Sequence, residues 1–168
     1  HILASQDPRQ NMFVYLMSLQ PGHFKTYSTP EDSFWCCVGT GMENHAKYAD
    51  TIYFHGLDTF YVNLFIASEL TWKDKGLRVL QETKFPEEGV SHLSLRCEKP
   101  VKLALKIRWP SWAQPEITVR LNGAKETVSG KPSSYFTLDR EWHDGDQVEI
   151  RLPLPLRVCA REGSLLVA

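Results

Sequence analysis

The sequence is short of every feature that would tie it to a membrane, a nucleic acid or a disulfide scaffold. Its most apolar windows, residues 61–67 and 152–156, fall far below the roughly 20 residues needed to cross a bilayer, so no membrane partner is expected. Neither charge is in excess: 19 Lys and Arg face 20 Asp and Glu, for a formal net charge of −1. With no basic run interleaved with aromatics, a nucleic acid partner is not expected either. Cysteine is sparse. Cys36, Cys37, Cys97 and Cys159 are too few for a disulfide framework, and adjacent Cys36 and Cys37 make a poor disulfide because the ring strains the peptide between them. There is no CxxC motif, internal repeat or low-complexity tract. The chain opens on His1 with no charged-then-apolar leader pattern and closes on 163–168 as if inside a strand. It therefore reads as part of a longer protein. The compartment stays open between a reducing cytoplasm and a periplasm.

What is present suits a mixed, mainly β chain. The 168 residues, 42% hydrophobic and 23% charged, suffice for one domain, or for a small domain with a piece of another. Residues 11–19 are apolar almost all round, which predicts a buried helix ended by Pro21-Gly22. After a polar loop, Thr40 is placed to cap a second helix over 41–49, with Glu43 and Lys47 as an i,i+4 pair. From residue 51 the period becomes two. Strands are expected over 51–54, 60–67, 77–83, 91–98, 101–109, 117–121, 134–138 and 147–152. Leu93, Leu95 and Cys97 share one face, as do Leu103, Leu105, Ile107 and Trp109. Asn122-Gly123 and Asp144-Gly145-Asp146 mark tight turns, and prolines punctuate strand ends. Eight short strands with frequent turns predict an antiparallel β-sandwich. Cys97 and Cys159 fall in apolar segments and read as small buried hydrophobes.

The Cys36-Cys37 pair needs another account. Just before a helix amino-terminus, thiolates are favoured by the dipole and the free N–H groups. The pair is half a zinc site, although two buried cysteines would look the same in sequence. His23, His45 or His55 could complete such a site, although a lone histidine placed as His45 is more often a hydrogen-bonded structural residue than a ligand. His92 and His143 read as surface residues. Glu31, Asp32 and Glu43 are the nearby carboxylates. Glu43 either lines a substrate pocket or pairs with Lys47, while Trp35, Phe34 and Tyr27 either stack on a sugar or fill a core.

The string from Asp32 to Asn44, Asp-Ser-Phe-Trp-Cys-Cys-Val-Gly-Thr-Gly-Met-Glu-Asn, resembles the signature of glycoside hydrolase family 127. So do the lead-in 21–27 and the continuations 46–48, 52–54, 61–66 and 68–70, a match running from about Met12 to Trp72. The resemblance implies an (α/α)6-barrel catalytic domain, of which residues 1–54 would be the carboxy-terminal end, followed by a β-sandwich over residues 55–168. It also implies a retaining β-L-arabinofuranosidase acting on plant-type glycans. Cys36 would be the nucleophile and would share a zinc ion with Cys37, while Trp35 and Glu43 would be candidate substrate contacts. The family's acid/base glutamate, its other zinc ligands and its substrate-binding histidines have no counterpart in residues 1–35. The missing amino-terminal part of the same protein is therefore an expected partner, beside an oligosaccharide or glycan substrate.

A second reading makes the chain a non-catalytic carbohydrate-binding β-sandwich, which predicts Trp72, Trp109, Trp112 and Trp142 exposed in a row. Trp109 to Trp112 could form such a platform, or Trp109 could plug the core. A third, a structural zinc module, requires four ligands where the sequence offers two credible ones.

Overall fold

The computed structural model describes residues 5–155. The chain divides into two compact units, His1–Asp50 and Thr51–Val158. Cys159 and the expected strand at 163–168 lie outside the described residues.

The second unit is a β-sandwich. Strands β1 (Tyr53–His55), β2 (Thr59–Val62), β6 (Val101–Trp109) and β9 (Ser134–Trp142) form a sheet in the order β1-β2-β6-β9. Strands β3 (Ser68–Trp72), β4 (Leu77–Thr83), β5 (Val90–Cys97), β10 (Gln147–Arg151), β7 (Thr118–Leu121) and β8 (Ala124–Glu126) form the other, in that order. Pairing is antiparallel throughout the described strands except between β2 and β6, which run parallel with Thr59 opposite Ala104. A parallel neighbour cannot follow through a hairpin, and the chain lays three strands, β3 to β5, in the other sheet before β6 arrives beside β2.

Alternation builds the core. Leu93, Leu95 and Cys97 of β5 face inward, as do Leu103, Leu105, Ile107 and Trp109 of β6, each at most 8% exposed. Phe60, Phe136 and Trp142 join them in one cluster drawn from both sheets. At roughly 1.5–3 kcal/mol for each large side chain removed from water, this cluster is what holds the two sheets together. Trp109 donates from Nε1 to the Ala113 carbonyl at 2.7 Å, and Trp142 to that of Leu103 at 3.1 Å. Trp109 is thus a core plug. With Trp142 buried too and Trp72 half-buried, Trp112 alone of the four is exposed, so no row of tryptophans faces solvent.

The expected strand over 60–67 stops at Val62. Residues 63–67 leave the sheet and cross to β3, which the sequence reading did not separate. A core glutamine holds that crossing: Gln81 Nε2 donates to the carbonyls of Leu64 at 3.1 Å and Ile66 at 2.8 Å. Asn122-Gly123 makes the expected tight hairpin, with φ of 50° and 84°, and its short return strand β8 is a second element the sequence reading missed.

The first unit corrects two helix assignments. Residues 11–19 are not helical. Asn11 has φ of 59°, which interrupts any helix entry, and Asp7 donates to the Met12 carbonyl to close a turn. Phe13 and Val14 are extended and bridge Gln6 and Tyr27. A run in which nearly every residue is apolar carries no 3.6-residue period, and its Phe-Val-Tyr segment favours extended backbone. The helix α1 spans Cys36–Lys47, five residues earlier than expected, with Trp35 rather than Thr40 at its amino-terminal cap.

Candidate active site

Three short-range clasps deliver the chain to the start of α1. Ser28 and Phe13 are buried and joined both ways: the Phe13 N–H donates to Ser28 Oγ at 3.2 Å, and the Ser28 N–H donates to the Phe13 carbonyl at 2.9 Å. The Thr29 N–H donates to Ser33 Oγ at 2.7 Å, and the Asp32 N–H to Thr29 Oγ1 at 3.1 Å, which folds the polar loop into a turn. Trp35 is then extended, and the Val38 N–H donates to its carbonyl at 2.9 Å.

The cysteines are therefore the first two residues of the helix rather than part of the loop before it. Among the described residues no side chain caps this end, so the free N–H groups and the positive end of the helix dipole lie beside the sulfurs. The helix holds despite two glycines, each worth about 1 kcal/mol less than alanine in a helix interior. Gly41 has a steric reason: a Cβ there would fall 2.6 Å from Phe13 Cζ and 2.7 Å from Cδ1. Phe13, hidden in a run first read as helix, is thus the side chain on which α1 rests.

Cys36 is exposed and Cys37 half-buried, with their Sγ atoms 3.9 Å apart and unbridged. Two thiolates on one tetrahedral zinc, each about 2.3 Å from the metal, sit about 3.8 Å apart. The spacing of the pair fits that geometry. Burial pushes the Cys37 thiol up, and the hydrogen bond and charge of Cys36 push it further. Two sulfurs this close do not both ionise cheaply without a cation between them. The donor set is partial, since among the described residues no three His, Cys, Asp or Glu side chains converge on one point.

The other candidates separate by what they touch. His45 Nδ1 meets the Gly41 carbonyl at 2.7 Å and Nε2 meets Gln6 Oε1 at 3.1 Å, so both ring nitrogens are engaged in holding α1. His55 lies on β1 in the second unit against Trp72, with ring centres 4.8 Å apart, and His23, His92 and His143 are exposed. Glu43 is exposed and forms no pair with Lys47, which bonds Asp50 Oδ2 at 3.2 Å instead. Asp50 lies just past the helix end, where a lysine of the last turn reaches it readily. Glu43 stands two turns along α1 from Cys36, about 10 Å of rise, so it is no close carboxylate partner of that sulfur. Trp35 is half-buried and lies against Tyr15 at 6.1 Å; its Nε1 is buried and has no hydrogen-bond partner among the described residues.

Both units match family models. Residues 1–50 match the catalytic domain of GH127 β-L-arabinofuranosidase, and residues 59–154 match the middle domain. A comparison with curated proteins gives no match. Among solved structures, one described as a glycoside hydrolase aligns over 92% of this chain and 27% of its own, with 25% identity and a TM-score of 0.75. A GH127 β-L-arabinofuranosidase from Geobacillus stearothermophilus T6 aligns over 76% of this chain and 20% of its own, with 26% identity and a TM-score of 0.67. A GH127 β-arabinofuranosidase shares the fold at 24% identity and a TM-score of 0.62, over 70% of this chain and 21% of its own. The chain thus spans about a quarter of the length of the structures it matches. With a catalytic-domain segment leading into a middle domain that fills more than half of it, the chain belongs to the GH127 β-L-arabinofuranosidase family.

Proposed function

We propose that the protein containing this chain is a retaining glycoside hydrolase that removes β-L-arabinofuranosyl units from plant-type glycans, with Cys36 as nucleophile and Cys37 as a zinc ligand. One observation carries the reading: an exposed sulfur on Cys36, 3.9 Å from that of Cys37, at an uncapped helix start within the segment that matches the family's catalytic domain.

Cys36 Sγ attacks the anomeric carbon as the glycosidic C–O bond breaks, and the departing oxygen takes a proton from a carboxylic acid. Water then attacks the same carbon, displaces the sulfur and restores the starting configuration. Bound zinc would supply the positive charge that keeps the sulfur ionised, with Cys36 and Cys37 as its ligands from this chain. The helix amino-terminus works in the same direction. Trp35, held against Tyr15, is the flat surface nearest the pair in sequence, and it is assigned to the sugar ring. Glu43, two turns from Cys36, keeps at most a peripheral substrate contact.

The proton donor and the remaining zinc ligands belong to the amino-terminal part of the same protein. Leu16, Leu19, Phe24 and Phe34 are 71–99% exposed in this unit, the kind of apolar surface a larger catalytic body covers.

The test is release of arabinose from an aryl β-L-arabinofuranoside by the parent protein, with Cys36→Ala and Cys36→Ser compared at matched zinc content. Both variants should fold and lose activity by orders of magnitude. Near-normal turnover in either removes Cys36 as nucleophile, and a wild type inert on furanosides removes the activity itself.

A further inference from the structure

The β-sandwich carries a cleft that the catalytic reading does not use. It has a volume of about 350 Å³ and opens between the crossing at 63–66, Phe85-Pro86 and the end of β6 with the loop after it. One wall is aromatic. Phe85 and Trp112 stack nearly parallel, with ring centres 5.7 Å apart and 15° between planes, and Phe65 meets Phe85 at 6.1 Å. Trp112 is 40% exposed, whereas Trp109 and Trp142 are buried. The floor is rigid, because Gln81 holds the carbonyls of Leu64 and Ile66 from the core side.

The cleft also contains one conspicuous polar group. Arg108 points outward from β6 between the buried Ile107 and Trp109, and no carboxylate pairs with it among the described residues. A contact surface meant only for another apolar face gains nothing from an open guanidinium, which would have to be desolvated there without a partner. A sugar ring satisfies both features. Its C–H face is apolar and lies flat on an aromatic ring, while its ring hydroxyls present acceptors to the planar N–H fork of an arginine.

We propose that this cleft is a glycan-binding subsite that takes one sugar ring of the polysaccharide or oligosaccharide against Trp112, with hydroxyl groups on Arg108. The inference rests on the glycosidase reading for its ligand class. The subsite holds substrate on the β-sandwich and supplies no group to bond cleavage.

The experiment is a titration of the intact 168-residue chain with a short arabino-oligosaccharide and, separately, with benzoate, a flat anion that the same rings and guanidinium would accept. Tryptophan indole N–H resonances are followed. The Trp112 signal should move and saturate in the millimolar range expected of a single-ring site, while those of Trp109 and Trp142 stay still. Trp112→Ala should weaken binding about tenfold or more, the usual weight of a stacking ring. Arg108→Gln, at an exposed and unpaired position where folding is not at risk, should weaken it several-fold. Unchanged affinity in Arg108→Gln, no movement of Trp112, or binding of benzoate without sugar overturns the proposal. Arabinose release by the parent protein is scored independently. Turnover without binding in the cleft removes the subsite alone, whereas binding without turnover on any furanoside removes the glycosidase reading and keeps the subsite.

Discussion

Replacing Gln81 with leucine removes a polar side chain from the core and adds no cavity, because the two side chains are close in volume. Intuition about hydrophobic cores predicts a gain. The geometry predicts a loss. Gln81 is 1% exposed on the inward face of β4, and its Nε2 donates to the carbonyls of Leu64 and Ile66 at 3.1 and 2.8 Å. A weaker contact reaches Tyr53 Oη at 3.4 Å, and Ser91 Oγ donates to Oε1 at 3.3 Å. The two carbonyls belong to the segment that carries the chain from one sheet to the other, so they have no ladder partner to return to. Each bond is worth about 1 kcal/mol net; the Ile66 carbonyl keeps the Ser68 hydroxyl, which donates to it at 2.7 Å, so the Leu64 carbonyl is the one left dry, at about 1–3 kcal/mol. Allowing for leucine's own burial, Gln81→Leu should destabilise the second unit by about 2–4 kcal/mol. At about 2–4 °C per kcal/mol for a chain of this size, its Tm should fall by about 5–15 °C. Urea unfolding followed by the fluorescence of buried Trp109 and Trp142 reads this directly. Gln81→Glu keeps the shape but swaps the donor for an oxygen facing two carbonyls, so it should be at least as damaging. A Gln81→Leu variant within 0.5 kcal/mol of wild type, or more stable, would refute the clasp.

Two further substitutions test the details. Gly41→Ala adds the better helix former by about 1 kcal/mol, yet its Cβ would sit 2.6 Å from Phe13 Cζ, and overpacking of this kind costs about 1–3 kcal/mol. Faster amide hydrogen exchange in α1 is expected, and slower exchange would show that Phe13 does not carry the helix. For Asp146, burial alone would raise the carboxyl's pKa, but hydrogen bonds from the His143 N–H and from Asn122, with the charges of Arg140 and His143, outweigh it and leave it below the usual aspartate value. A lowered folded-state pKa gives stability that is present above the ordinary carboxylate range and lost as pH falls through the folded value. Wild type should therefore lose stability below about pH 4, and Asp146→Asn should flatten that acid limb while costing about 1 kcal/mol at pH 7. An unchanged acid limb would rule this carboxylate out as its source.

The legible parts of the fold are those where one residue's surroundings are set by its neighbours in sequence. Strict alternation in β5 and β6 identified which side chains are buried, since a strand with one wet face has no other arrangement for Leu93, Leu95 and Cys97. Asn122-Gly123 identified its own turn, because few other pairs accept two positive φ angles. Legibility ended where a distant partner decides. Whether residues 60–67 stay in one strand depends on Gln81, and whether residues 11–19 coil into a helix depends on edge pairing with Gln6 and Tyr27. The parallel contact of β2 with β6 has no local signature at all.

The site shows the same division at atomic scale. Adjacent cysteines near a helix start were legible in the sequence as a feature to explain, with a metal or catalytic role and plain burial both open; the structure adds that Cys36 is exposed and Cys37 half-buried. Their place within the helix was not readable. Thr40 is a plausible cap, and two glycines argue against a helix through 39–41. What overrides propensity is Phe13, whose ring occupies the volume that a side chain at 41 would need. The shift by five residues matters for function. At the start of α1 the sulfurs adjoin N–H groups with no intrahelical partner, whereas in a loop their exposure to that charge would depend on the loop's path. Gly41 thus serves the cysteine pair indirectly: the missing side chain lets α1 seat on Phe13, and the seat fixes where the helix begins.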